Sequence, residues 1–156
     1  MRRFRRPVPS GFTLIELLVV VTIVALLASM AIVQLLRARI VTNELVALTS
    51  LRLIAKSCNS YFLERQAYPA ALADLGPPTS DPPYFTDPHL LAGAKGGYTF
   101  TYTLAPAGDP STFIVLANPQ TYGITGVRHF WVDQTVTIRF TQENRDATGS
   151  DPILPP

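Results

Sequence analysis

The apolar residues near the start of the chain follow no period. From Leu17 to Leu36, twenty positions pass without a charged side chain. About 20 apolar residues at 1.5 Å each cross a bilayer core of roughly 30 Å. Further on, the pattern becomes helical. Val41, Leu45, Leu48, Leu51, Ala55, Cys58 and Phe62 recur every three or four residues, the signature of one helix face. Arg37, Arg39, Glu44, Arg52, Lys56 and Glu64 stand between them, and no proline or glycine interrupts residues 12–67. The pattern predicts one helix from about Leu14 to Glu64, roughly 75 Å long. Its first half is apolar all round, its second half amphipathic, and the amphipathic stripe needs a cover.

The period then changes to two. In "YTFTYTL", Tyr98, Phe100, Tyr102 and Leu104 face one way and three threonines the other, as in a half-buried strand. Residues 111–117, 127–133 and 135–140 read as further strands, with Val136, Ile138 and Phe140 on one face of the last. Gly108, Asp109 and Pro110 signal a turn before the second strand. Residues 68–78 read as a turn with a short helical segment, 79–96 as a proline- and glycine-rich loop, and 147–156 as an irregular tail. Short connections predict an antiparallel meander. A sheet with one apolar face and a helix with one apolar stripe form a two-layer α+β domain: a long N-terminal helix packed on a small C-terminal sheet.

Charge narrows the reading. The net charge of +2 is concentrated in Arg2, Arg3, Arg5 and Arg6; residues 12–156 hold nine basic and eleven acidic side chains. Arginines before the apolar run place that end in the cytoplasm. The body has no basic stripe, so nucleic acid is not an expected partner. One cysteine, Cys58, rules out an intrachain disulfide and reads as a core thiol. His89 and His129 lack nearby carboxylate partners in sequence, and no nucleophile–base set or phosphate loop appears. Aromatics at strand spacing read as packing. No enzyme is expected.

One acidic residue does not fit a plain anchor. Glu16 interrupts the apolar run, and a carboxylate in hydrocarbon costs about 2.5–3.5 kcal/mol on insertion scales. The string "GFTLIELL" (11–18), after a short arginine-rich leader and before an uncharged helix, resembles the processing site of type IV prepilins and of type II secretion pseudopilins. The "YP" turn, the "LADL" after it and "TGVRHFWVDQTVTIR" (125–139) are also similar to that family, where a glycine often stands at the position of Val136.

The resemblance implies a precursor cut between Gly11 and Phe12 by a prepilin peptidase that also N-methylates Phe12. It implies an inner-membrane assembly platform as a further partner. A filament of copies of this chain or of other pilin-like subunits would follow, periplasmic or on the cell surface. Glycine before the cut lets backbone enter a tight protease site. Glu16 would then lie one helical turn from the new ammonium of Phe12. It could meet the ammonium of a neighbouring subunit where the low dielectric makes the pair strong.

The resulting division is 1–11 leader, 12–36 membrane and polymerisation helix, 37–66 amphipathic half, and 67–156 loop and sheet region packed on 37–66. A type IV pilus-like subunit is the first reading. A type II secretion pseudopilin, or a minor tip or DNA-uptake pilin, is the alternative. A secretory signal peptide cut near Ser29 or Ala31, or an unprocessed anchor, leaves "GFTLIE" unexplained. Many pilins have proline where this chain has "AIVQ" (31–34), so local helix melting is not expected. Some pseudopilins bind calcium in C-terminal loops. Asp81, Asp87 and Asp109 are too scattered to assign it, and no cofactor is expected. Arg37 and Arg39 read as snorkelling at the membrane face or as partners for Glu44 of a neighbour.

Overall fold

The computed structural model describes residues 11–80, 82–105 and 111–155. The arginine leader, Asp81 and the turn around Asp109 lie outside the described residues. Helix α1 spans Leu14–Arg65, followed by a 3-10 turn (Leu72–Leu75) and a short α2 (Pro88–Leu91). Five strands follow: β1 (Ala94–Lys95), β2 (Tyr98–Leu104), β3 (Phe113–Pro119), β4 (His129–Asp133) and β5 (Ile138–Thr141). They form one antiparallel sheet in sequential order. The chain divides into two compact units, Met1–Arg37 and Ala38–Pro156.

The second unit is the α+β domain that the periodicities imply. From α1 come Ala47, Leu48, Leu51, Ile54, Ala55 and Cys58; from the sheet come Tyr98, Phe100, Phe113, Val115, Phe130 and Val132. Each large apolar side chain buried this way contributes about 1.5–3 kcal/mol. Burial pushes the Cys58 thiol up to about 12, which leaves it an inert core group. On β2 the alternation holds: Tyr98 and Phe100 are buried, Thr99, Thr101 and Thr103 exposed. The two tyrosine hydroxyls find carbonyls, Tyr98 donating to Arg128 O (2.9 Å) and Tyr102 to Pro69 O (2.7 Å).

The helix stripe differs from expectation at its start. Val41 and Leu45 are 57% and 58% exposed. Buried in their place is the arc through Glu44, Ala47, Ser50, Leu51, Ile54 and Ser57. At about 100° per residue, Val41 and Leu45 sit beyond the edge of that arc. Glu44 is inside because it has partners there. Its Oε1 accepts from Val127 N (3.1 Å) and Arg128 N (3.2 Å), and its Oε2 lies 3.6 Å from Arg128 Nε. Glu44 is thus engaged within its own chain, by the backbone leading into β4 and by Arg128.

The segment 125–139 is bound to α1 at both ends. Asn43 Nδ2 donates to Thr125 O (2.9 Å) and Asn59 Nδ2 to Gln134 O (3.3 Å). Gly126 admits no side chain, because a Cβ there would lie 2.0 Å from the Tyr98 hydroxyl. In the turn after β4, Asp133 Oδ1 accepts from Thr135 N (2.9 Å) and Val136 N donates to Asp133 O (3.0 Å). Val136 has φ +61°, a left-handed conformation that is costly for a β-branched residue. This is the position where the family pattern has glycine.

The loop over 79–96 is more ordered than its composition suggests. Asp87 caps α2 by accepting from His89 N (3.0 Å) and Leu90 N (3.3 Å), and Leu90 is fully buried. Gly93 O then accepts from Phe100 N (2.7 Å), and β1 pairs with the start of β2. The tail lacks a regular element but is packed. Ile153 bridges Arg139, Leu154 N donates to Ile138 O (2.9 Å) and Phe140 N to Pro152 O (3.1 Å). The tail thus lines the outer edge of β5, while the opposite edge of the sheet is the two-residue β1.

Candidate processing and assembly site

Three of the sequence-identified positions, Gly11, Phe12 and Glu16, lie at the start of α1. Gly11 and Phe12 precede the helix and are exposed, Phe12 by 77%. A Cβ built on Gly11 meets nothing within 4 Å. The chain itself therefore sets no steric requirement for glycine here.

Glu16 is not unpartnered. Its Oε2 accepts from Thr13 N (2.9 Å) and from Thr13 Oγ1 (2.7 Å), while Glu16 N donates to Thr13 Oγ1 (3.3 Å). This is a reciprocal capping box, in which a helix-starting threonine and a glutamate three residues later satisfy each other's backbone donors. Such a cap contributes about 1 kcal/mol. The carboxylate also sits where the helix dipole favours negative charge. The signal for Thr13 was in the sequence as the spacing T-x-x-E, and the expectation for Glu16 alone missed it.

The rest of the first unit's described surface is mostly apolar, with Thr22, Ser29, Gln34 and Arg37 the polar positions. Every described side chain from Gly11 to Arg39 is exposed, and α1 is long and apolar enough to cross a membrane. Exposed Leu, Ile and Val in an unbroken run need lipid or neighbouring helices as their environment.

The other acidic candidates are engaged elsewhere. Asp87 caps α2 and pairs with Lys95 Nζ at 2.7 Å. The Lys95 ammonium holds its carboxyl below the usual carboxylate range. Asp81 and Asp109 lie outside the described residues. Beyond residue 66, the four basic side chains all have local partners. Lys95 pairs with Asp87, Arg128 with Glu44, Arg145 with Asp151 and Glu143, and Arg139 Nη1 donates to Asp151 O (2.9 Å).

An apolar helix with a capped glutamate at its start, continuing into a helix-on-sheet domain, defines a membrane-anchored subunit of pilin-like fold. Residues 9–32 match the prokaryotic N-terminal methylation motif. The chain is 30% identical over 105 residues to the type II secretion system core protein G of Pseudomonas aeruginosa, covering 67% of this chain and 72% of that one. The chain belongs to the type IV pilin and pseudopilin family and is a pilin-like structural subunit. Members of that family are structural proteins that assemble with other pilin-like subunits.

Proposed function

We propose that the chain is made as a precursor and held in the inner membrane by residues 12–36, with its N-terminus cytoplasmic. It is cut between Gly11 and Phe12 by a prepilin peptidase, and polymerises through α1 on an inner-membrane platform. The observation that carries this is the Thr13–Glu16 cap at the head of an exposed apolar helix. Before the cut, the cap lowers the cost of a carboxylate in hydrocarbon by giving it donors. It also holds the carboxylate toward the helix start, where the cut creates a new ammonium. Both cap bonds fall on Oε2, so Oε1 remains for a neighbour's ammonium. In a greasy bundle, leaving either charge unpaired is unfavourable by several kcal/mol, and that drives docking and sets register. We assign no cofactor and no catalysis.

Of the two filament systems, similarity to a type II secretion core protein favours a secretion pseudopilus for this chain. The pilus-like reading shares every step up to assembly. The engagement of Lys95, Arg128, Arg139 and Arg145 weighs against a DNA-capturing role.

The test is mass spectrometry of the mature chain, which should begin at a methylated Phe12. A chain beginning at Met1 or Ile32 overturns the reading. Gly11→Leu should accumulate as precursor, and the open surroundings of Gly11 make that a readout of the peptidase alone. Glu16→Ala should be processed normally yet fail to form filaments; normal filaments would count against it. Deleting the gene should stop release of exported enzymes if the system is secretory, and abolish surface fibres if it is a pilus.

A further inference from the structure

The segment after β5 crosses the outer face of the sheet, opposite α1. Two anchors hold it there. Asn118 Nδ2 donates to Asp146 Oδ1 (2.7 Å) and Tyr122 OH donates to Gln142 O (2.6 Å). Both anchors converge on one imidazole. His129 Nδ1 lies 2.9 Å from Asn118 Oδ1, and the Tyr122 ring stacks on the His129 ring with centroids 5.9 Å apart. Beneath the segment lies Trp131, since a Cβ on Gly149 would come within 3.3 Å of Trp131 Cζ2.

We propose that His129 is a proton-sensitive latch: neutral, it holds residues 142–149 against the sheet; protonated, it releases them and uncovers Trp131. The geometry fixes the neutral form. Asn118 gives its amide hydrogen to Asp146, so its oxygen faces His129 and takes the Nδ1 proton. His129 is 6% exposed and its Nε2 has no partner among the described residues. A second proton would go to Nε2, where a buried N–H and a buried charge would both stand unsatisfied. Tyr122 stacks on the imidazole and is itself bonded to the segment at Gln142 O, so moving them aside returns the ring to water.

The surrounding charges do not reverse this. From β3 the facing group is the neutral Asn118, and across β5 the register partner is Thr141. Tyr122 contributes a phenol. From the segment itself, Asp146 favours the charged imidazole and Arg145 disfavours it. Burial outweighs both and holds His129 below its usual 6.5. The folded form therefore binds its proton less readily than the unfolded chain. Stability of the latched state is full above about 6.5 and is lost as pH falls below it. The far end of the segment stays pinned to β5, Arg139 Nη1 donating to Asp151 O (2.9 Å) and Phe140 N to Pro152 O (3.1 Å), so release is local.

Trp131 is the chain's one tryptophan and reports on the segment directly. The full chain in detergent micelles is titrated from about pH 8 to about pH 5, following tryptophan emission and far-UV circular dichroism. Emission should move to the red with a midpoint below 6.5 while secondary structure is unchanged. His129→Gln should abolish the transition and His89→Gln should leave it. Absence of a transition, its persistence in His129→Gln, or its coincidence with loss of secondary structure overturns the latch. Should His129→Gln fail to fold, Asp146→Asn decides: it keeps an acceptor for Asn118 but removes the one charge that helps the latched form carry a proton, so release comes at higher pH and the midpoint must rise. A midpoint that stays or falls overturns the proposal.

Discussion

The same helix passes through two regions that treat apolar side chains in opposite ways. Along its start, Leu14, Leu26 and Met30 are 65–81% exposed. Further along, Ala47, Leu51, Ile54 and Cys58 are fully buried against the sheet. Apolar content does not separate them; the supply of a partner within the chain does. The domain from Ala38 onward closes its own core. The helix before it is exposed along its described residues and depends on lipid or on other molecules. A substitution should therefore be read by folding in one region and by assembly in the other.

The sharpest way to break that comparison is Leu51→Asp, which puts a charge into the core and should unfold the domain. Leu45→Asp, six residues earlier and exposed, should leave its melting curve unchanged. Equal melting of the two would remove the distinction between stripe and surface. Glu44→Ala comes next. It leaves two backbone N–H groups and Arg128 without their acceptor and should cost about 3 kcal/mol, read by urea unfolding. Val136→Gly should stabilise by about 1 kcal/mol, roughly 4 °C in Tm, because glycine adopts the positive φ freely. A fall in Tm would mean that the packing of the valine outweighs its backbone strain. The smallest effect belongs to Thr13→Ala. It should weaken the helix start by about 1 kcal/mol without moving the melting of the domain, and any change should appear in assembly.

Local pattern carried much of this. Strand alternation from Tyr98 to Leu104 and the long helix are short-range signals, and the structure places them as read; the string "GFTLIE" is also short-range and falls within the matched methylation motif. Val136, read as part of the last strand, instead lies in the turn before it with a left-handed backbone, at the position where glycine often stands in the family. Partnerships between distant residues were not legible. Glu44 looked like a surface residue because its acceptors' partners lie more than eighty residues away, at Val127 and Arg128. Taking Glu44 as outward-facing and following apolar positions alone rotated the expected stripe toward Val41 and Leu45, whereas Ser50 and Ser57 are buried. The loop over 79–96 hid α2 and β1 because their order comes from one capping aspartate and one buried leucine, not from periodicity. Glu16 was recognised as the unusual residue, but its companion Thr13 was passed over in favour of a partner in another molecule.

The borders of the sheet have a bearing on how such a subunit can be stored at high density. Exposed strand edges invite strand addition by other chains. Here one border is capped by the molecule's own tail, Leu154 and Pro152 bonding to Ile138 and Phe140, and the other ends in a strand of only two residues. Amyloid-like stacking is thereby denied a template at both borders of the sheet, and close packing of these domains carries no built-in route to strand exchange.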